Sequence, residues 1–444
     1  MKKLLVLLFA ATLVFTLAAC GDDTVTQGPD EGRTIDGGTI KYEPGTPEAE
    51  ALFMDSIPTG ITLQFWHGMS GGNGDAVNYL VEKFNAENDY GITVEATYQG
   101  GYTDLHQKLV GALTAGEYPH MAQAYGNNIM VYVDSDAIVE LNDYIFDHVW
   151  GIEDFEDIVE GYRIENSAYP NGMFNSLPFN KSTEVLYYNK TFFMENNLDV
   201  PTNWEELEAV SMAATAITGQ PSFGYDSLSN LFITWTQQNG GLYTTSDGTA
   251  HFNNTKAVEA VNYFVKGTDA GYFRTAGEDR YLSGPFNNQD VMMFIGSTSG
   301  SKYVGADTFE WDAAQVPFGE VKKVIQQGSN MFMMKSTDEE QIATFIFMNF
   351  LLETENTAEW AMRSGYLPVR LSARNLPAYV EYVATGVNPT KDVGTSYDPS
   401  WYIFDPIFKE SYDMRMAVQT AVEEAVLHVK TTIQAIEDAH EATT

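Results

Sequence analysis

Residues 68–72, Gly68-Met69-Ser70-Gly71-Gly72, carry the spacing G-x-S-x-G of a nucleophile elbow. In that device a sharp strand-to-helix turn exposes a serine oxygen for acyl transfer. The segment stands between an expected strand and an expected helix, as the chemistry demands. It also demands a downstream acid and then a histidine; His251 and His428 follow, and neither has a distinctive setting. Short motifs recur by accident, so a membrane-anchored extracellular hydrolase is the alternative reading. A second loop, Gly296-Ser297-Thr298-Ser299-Gly300, has threonine at its centre and fails the same test, although its backbone N–H groups could cradle an anion. Gly72-Asn73-Gly74 lacks the third glycine of a dinucleotide loop. The seven histidines include no i, i+4 pair and the single cysteine is Cys20, so neither a metal site nor an intramolecular disulfide is expected, and no cofactor. Carboxylate pairs say nothing about glycoside hydrolysis in a chain with 61 acids, which read as solvated surface.

Against those 61 Asp and Glu stand 24 Lys and Arg, a formal net charge of −37 over 444 residues. That balance argues against a nucleic-acid partner, which needs a basic face, and against docking on anionic lipid. With 44% hydrophobic and 19% charged residues, the chain has enough apolar material for a core. Its length suits two or three domains or one two-lobed unit.

The elements that must position any site follow from periodicity. Ile61–Trp66 reads as a strand and Gly68–Gly74 as a glycine-rich turn. A helix is predicted from Asp75 to Ala86, with Val77, Leu80, Val81 and Phe84 on one face. Ile92–Tyr98 is a strand, Tyr102–Ala115 a helix and Met121–Tyr125 a short strand. Alternation of this kind predicts a parallel sheet covered by helices. Further on, capping boxes at Thr202–Glu205 and Ser336–Glu339 open helices. Val291–Ile295 and Asn330–Met334 read as buried strands, and Ser411–Ala439, free of Gly and Pro, as long helix.

The first nineteen residues have the shape of a secretory signal: Lys2 and Lys3, then an apolar run too short to span a bilayer. Leu17-Ala18-Ala19-Cys20 resembles the bacterial lipobox, which implies a lipidated Cys20 and a protein held on the outer side of the cytoplasmic membrane. Residues 20–58, rich in Asp, Glu, Gly and Pro, read as a solvated tether.

Five stretches then occur in order: Phe65-Trp66-His67; Phe84-Asn85-Ala86-Glu87-Asn88; Tyr98-Gln99-Gly100-Gly101-Tyr102; the run from Leu177 through Lys190; and Gly365-Tyr366-Leu367-Pro368. Together they resemble the extracellular solute-binding proteins of ABC importers, most nearly the glycerol-3-phosphate branch. The resemblance implies an α/β, two-lobed periplasmic-binding-protein-like fold, each lobe a mostly parallel sheet flanked by helices, with a hinge and an interlobe cleft. It places one lobe at 59–180 plus 308–336 and the other at 181–307 plus 337–444, with crossovers near Phe179 and in the 300s. It implies a binding protein without catalysis, monomeric, that takes a sugar, oligosaccharide or glycerol phosphate and hands it to an ABC permease.

Carried over position by position, the resemblance puts ligand contacts at Tyr102, Gly126, Ser182, Thr298 or Ser299, Gly328 and Tyr366. Tyrosine and serine suit a hydroxyl-rich ligand, and glycine lets backbone N–H groups approach. Two departures stand out: Gly126 replaces a glutamate, and Val418 falls where the branch has an arginine, with Arg415 about one turn away. Trp66 and His67 are added because they end a strand ahead of a glycine-rich loop. Trp235, Trp311 and Trp401 could stack on sugar faces but are more simply core.

Overall fold

Strand β1, Thr62–His67, alternates as its sequence requires: Leu63, Phe65 and His67 face inward, while Thr62, Gln64 and Trp66 are exposed or half-buried. The computed structural model describes residues 58–147, 150–305 and 308–443, with a short strand pair at Thr34–Ile35 and Gly38–Thr39. The signal segment 1–19, Cys20 and nearly all of the tether lie outside the described residues.

β1 pairs in parallel with β2, Thr93–Tyr98, and with β3, Met121–Ala124. Helices α1 (Gly71–Glu87), α2 (Tyr102–Ala115) and α3 (Gly126–Asp134) follow the three strands in turn. α1 buries Val77, Leu80, Val81 and Phe84, the face its spacing predicts, but begins at Gly71, four residues before the expected start at Asp75. The glycines fold into its first turn instead of preceding it. At Gly74 a Cβ would lie 3.0 Å from the Met69 carbonyl oxygen, so a small residue lets the turn close. Both capping boxes slip by one residue. Asn203 accepts from the Glu206 N–H, and Thr337 and Glu340 cap each other reciprocally.

Two long strands organise the rest. β4, Leu177–Asn189, and β9, Val324–Met333, run antiparallel side by side. Between them in sequence lie the parallel strands β5 (Phe223–Tyr225), β6 (Phe273–Thr275) and β7 (Met293–Ser297), then β8 (Trp311–Ala314). The sheet order is β2-β1-β3-β9-β4-β7-β5-β6, with β8 also on β4. Each end is parallel as expected, and the antiparallel pair joins them.

The same two strands belong to two cores. Leu177 and Phe179 of β4, with Met331 and Met333 of β9, pack with Leu63, Phe65 and Phe84. Val185, Leu186 and Tyr187 of β4, with Val324 and Ile325 of β9, pack with Phe223, Phe232, Trp235 and Phe264. These cores divide the chain differently from the expected boundaries. Helices α8 (Asp338–Leu352) and α9 (Thr354–Arg363), assigned by resemblance to 337–444 of the second lobe, sit in the first core. Phe347 lies 6.0 Å from Phe65 and 4.9 Å from Phe84, ring to ring. Conversely Trp311–Ala314, assigned to 308–336 of the first lobe, pairs with the far end of β4. Ala313, Val316 and Phe318 complete the second core. Tyr397 and the last two helices, α10 (Ser411–Val426) and α11 (Thr432–Glu441), return to it.

At the crossing Gly328 takes φ +97°, and a Cβ there would fall 1.9 Å from the Asn180 carbonyl oxygen, so only glycine fits. The register shifts just beyond, between Ser329 and Asn330. Beside it Lys181 is wholly buried. Its ammonium donates to both carboxylate oxygens of Glu165, at 2.8 Å each, and to Asn330 Oδ1 at 2.9 Å. Glu165, on α4 (Glu160–Ser167), also accepts from Asn330 Nδ2 at 3.1 Å and from Gln326 Nε2. Burial draws the Lys181 pKa down, and the Glu165 carboxylate opposes it.

Removing one partner of such a pair strands a buried charge and costs about 3–5 kcal/mol, whereas replacing both with apolar groups is far milder. Glu165→Leu is therefore expected to lower the urea midpoint sharply, and Lys181→Met combined with Glu165→Leu to recover most of the loss. Equal damage in the single and double variants would refute the ion pair as the source of stability.

Candidate functional site

Aromatic residues at the carboxyl ends of the parallel strands begin the site, the place where open α/β sheets bind ligands. Tyr102 opens α2 directly after β2, and Tyr125 follows β3 and precedes α3. Their rings lie 4.7 Å apart. The Tyr102 hydroxyl accepts from Asn180 Nδ2 at 2.6 Å, and Ser329 Oγ donates to Asn180 Oδ1 at 2.8 Å. Asn180 and Ser329 face each other across the two crossing strands. The site thus grows directly out of the hinge.

Tyr366 comes from the loop after α9, and its hydroxyl lies 3.5 Å from that of Tyr102. Three contacts place it. Its ring stacks on Trp360 at 5.5 Å and 8°, and Trp360 stacks on Phe179 of β4 at 4.7 Å and 19°. Lys391, wholly buried, donates to the carbonyls of Ser364 (3.0 Å) and Tyr366. The neighbouring Leu367 N–H bonds the Lys181 carbonyl at 2.8 Å. Burial raises the pKa of both Tyr102 and Tyr366, against the hydrogen bond of Ser329 to the first and those of Tyr102, Asn180 and Ser299 to the second. They remain neutral phenols, able to donate to and accept from a guest.

The second core supplies the opposite wall. Ser299 interacts with the Tyr366 hydroxyl, and a Cβ on Gly365 would lie 2.3 Å from the Ser299 carbonyl oxygen, so the two backbones touch there. Arg415 on α10 is within electrostatic reach of Tyr125. Its Nη1 donates to Asp405 Oδ2 at 2.5 Å and its Nη2 to Asn230 Oδ1. Asn230 Nδ2 continues to Glu184 Oε1 at 2.7 Å, and Tyr225 OH donates to Glu184 Oε2 at 2.5 Å. Burial pushes Glu184 up to about 7, against these bonds and Arg415. Tyr412 of α10 closes a hollow of about 80 Å³ with Tyr102, His106, Gln123 and Tyr125. A larger one, about 490 Å³, opens beside Asp136, Glu140, Asn171 and Lys335 and holds none of the expected residues.

The structure therefore brings together Tyr102, Tyr366 and Ser299, with the backbone of Gly328 against Asn180 and Arg415 within electrostatic reach of Tyr125. Gly126 faces this region too: a Cβ would lie 2.6 Å from Ile407 Cδ1, so the absent side chain makes room for a residue bound next to the second core. Four expected residues stand apart from this group. His67 is 3% exposed; its Nδ1 accepts from the Met69 N–H at 3.3 Å, and burial pushes it down to about 4. Trp66 packs half-buried on the Leu105–Leu109 face of α2. Thr298 is fully buried with its methyl toward Gly394, and Ser182 is enclosed in β4 opposite Gln327. His67, Thr298 and Ser182 are turned inward by their strand or turn, while Trp66 lies on the opposite side of β1, against α2. Trp235 likewise lies in the core, Trp311 lies 5.7 Å from Tyr187 and Trp401 5.2 Å from Phe318.

Asn180, Ser329, Tyr125, Asn230, Glu184 and Asp405 were missed. Tyr125 had a signal, since it ends a parallel strand as Trp66 does. Asn180 and Ser329 become neighbours only through the register of strands far apart in sequence. Ser70 is exposed at the start of α1, and among the described residues its side chain makes no hydrogen bond to a histidine. Among those residues no group of three or more His, Cys, Asp or Glu could hold a metal ion.

Known proteins share this fold. Residues 79–386 match the family described as bacterial extracellular solute-binding protein. The sn-glycerol-3-phosphate-binding periplasmic protein UgpB of Escherichia coli O1:K1 is 29% identical over 384 residues, covering 80% of this chain and 84% of the relative. UgpB from Mycobacterium tuberculosis, solved with glycerophosphocholine, superposes with TM-score 0.76 at 20% identity over 87% of this chain and 98% of that one. The cyclic α-maltosyl-1,6-maltose binding protein from Arthrobacter globiformis gives 0.72 at 24% identity, over 86% and 98%.

A carboxyl whose pKa rises on folding favours the folded state in acid and loses that contribution as pH climbs through the folded value. For Glu184 the window runs from the ordinary carboxyl value of 4.5 to about 7. Stability measured by chemical denaturation should fall across it, and Glu184→Gln should flatten the fall; an unchanged slope would show that Glu184 does not titrate there.

Proposed function

This chain belongs to the bacterial extracellular solute-binding proteins, and from that premise we propose that its cleft captures a carbohydrate or glycerol-phosphate-type solute outside the cell and delivers it to a membrane ABC permease. The observation that carries this reading is the meeting of Tyr102 and Tyr366 beside Asn180 and Ser329, where the chain crosses between its two cores. Neutral phenols, an amide and a hydroxyl offer both donors and acceptors to a hydroxyl-rich guest, and the rings offer it an apolar face. The work is differential affinity: a solute that touches both walls favours the closed arrangement over the open one. No bond is made or broken. The reading includes a monomer, held at the outer face of the cytoplasmic membrane through a lipidated Cys20. No helix among the described residues is long and apolar enough to cross a membrane.

Solute at about 100 times its dissociation constant adds roughly 2.7 kcal/mol of stability, which a melting curve resolves. The panel is maltose, maltotriose, glycerol-3-phosphate and glycerophosphocholine. Tyr366 is 6% exposed and stacked, so truncation to alanine would also open the core. Tyr366→Phe and Tyr102→Phe remove only the hydroxyls. Each should weaken or abolish the solute-induced shift, and an undiminished response in both would put the cleft elsewhere.

Anchoring has its own test. In cells the full chain should sediment with membranes and carry acyl mass on Cys20, and Cys20→Ser should release it to the soluble fraction. Membrane retention of Cys20→Ser would sink the lipid anchor.

A further inference from the structure

Arg415 is the cation that the sequence offers to a phosphate, and one donor on each of its terminal nitrogens is committed, to Asp405 Oδ2 and to Asn230 Oδ1. Asn230 is itself fixed, through its Nδ2 bond to Glu184 and its N–H bond to Ser227 Oγ at 3.3 Å. The guanidinium is thus held in a closed chain of partners. The other oxygen of the same carboxylate, Asp405 Oδ1, is buried and has no hydrogen-bond partner among the described residues. A carboxylate oxygen only accepts, and a buried one left without a donor is costly. A donor from outside the described residues would satisfy it.

Asp405 precedes a segment that touches both halves of the chain. Two residues on, Ile407 packs with Leu105, Ala124 and Ile129 of the first half, and Phe408 packs with the second core. Ile407 occupies the space left free by the missing side chain of Gly126. Tyr125, the residue before that glycine, interacts with Arg415.

Building on the solute-binding reading, we propose that Asp405 sets the class of solute. It neutralises Arg415 and offers Oδ1 to a solute hydroxyl, so the cleft takes an uncharged polyol such as an oligosaccharide in preference to a phosphate monoester. A sugar hydroxyl both donates and accepts, so it can give its proton to Oδ1 and receive one from a phenol. A phosphate monoester is largely deprotonated at neutral pH, and its free oxygens are acceptors. It would meet one carboxylate and a guanidinium with both terminal nitrogens engaged, where tight phosphate sites use a free bidentate fork.

The test is calorimetric titration of the full chain and of Asp405→Asn with maltotriose, maltose and glycerol-3-phosphate. The expected result is that the unmutated protein binds at least one of the two sugars more tightly than glycerol-3-phosphate. Asp405→Asn should tighten glycerol-3-phosphate by roughly tenfold or more, because a charged donor is released. Adding Arg415→Gln should cancel that gain. Circular dichroism checks folding; Asp405→Ser carries the comparison if the amide variant fails, and the unmutated arm stands without either. Glycerol-3-phosphate binding alike in both proteins, absent from both, or tighter than both sugars in the unmutated protein overturns the role of Asp405. The Tyr102 and Tyr366 variants judge the cleft separately: a response to any panel member that they abolish keeps the cleft reading alive even when Asp405 fails.

Discussion

A single ammonium group buried between two cores is the constraint around which the rest is arranged. Lys181 lies on β4 at the point where that strand leaves one core for the other, and it is bound by Glu165, Asn330 and the carbonyl of Gly328, 3.4 Å away. Taking a charge this far from water is expensive unless every donor is used. Its partners come from α4 and from β9, so satisfying the charge fixes β4 against β9 and both against the first half. Gly328 belongs to the same requirement, since only a residue without Cβ brings its backbone onto Asn180. The strand pairing there is specified twice, by polar partners and by the missing side chain.

That rigidity reaches the site through rings. Phe179 is two residues before Lys181, Trp360 lies flat on it, and Tyr366 lies nearly parallel to Trp360. The hydroxyl of Tyr366 is therefore located by core packing rather than by a loop, and Lys391 clamps the backbone behind it. Tyr102 is held by Asn180, immediately before Lys181. Two hydroxyls from segments 264 residues apart meet because each is tied to the same crossing strand. A groove built this way costs little further ordering when a solute enters.

The fold was largely legible, because its signals are local. Alternation in Thr62–His67 and the Val77–Phe84 face of α1 depend only on nearby residues and on which side is apolar. Boundaries were less legible: one-residue slips at both capping boxes arose because adjacent polar residues compete for the cap. Lobe membership failed for α8 and α9 for a related reason. Their apolar faces are compatible with either core, and Phe345 and Phe347 declare a partner only in three dimensions. In the site, Tyr102 and Tyr366 came from matched motifs, whereas His67 is turned inward by the period of its strand and Thr298 by the turn that follows β7. Asn180, Ser329 and Asp405 depend on register and on contacts between distant segments, which spacing in the chain does not encode.

The acidic character of the chain and the chemistry of its cleft are separate matters. A net charge of −37 spread over a surface is screened beyond roughly 8 Å in physiological salt, so it tells a solute little about the interior. Inside, screening is weak and each charge must be answered locally. Arg415 is answered by Asp405, and Lys181 by Glu165. Burial also pushes Glu184 and Asp226 up to about 7, reducing the charge they carry near neutral pH. What remains at the meeting of Tyr102, Tyr366 and Ser299 is a set of phenols and hydroxyls, with the spare oxygen of Asp405 near Arg415. A guest that exchanges hydrogen bonds without bringing charge disturbs none of these balances, whereas on the proposed reading a phosphate competes with Asp405 for Arg415.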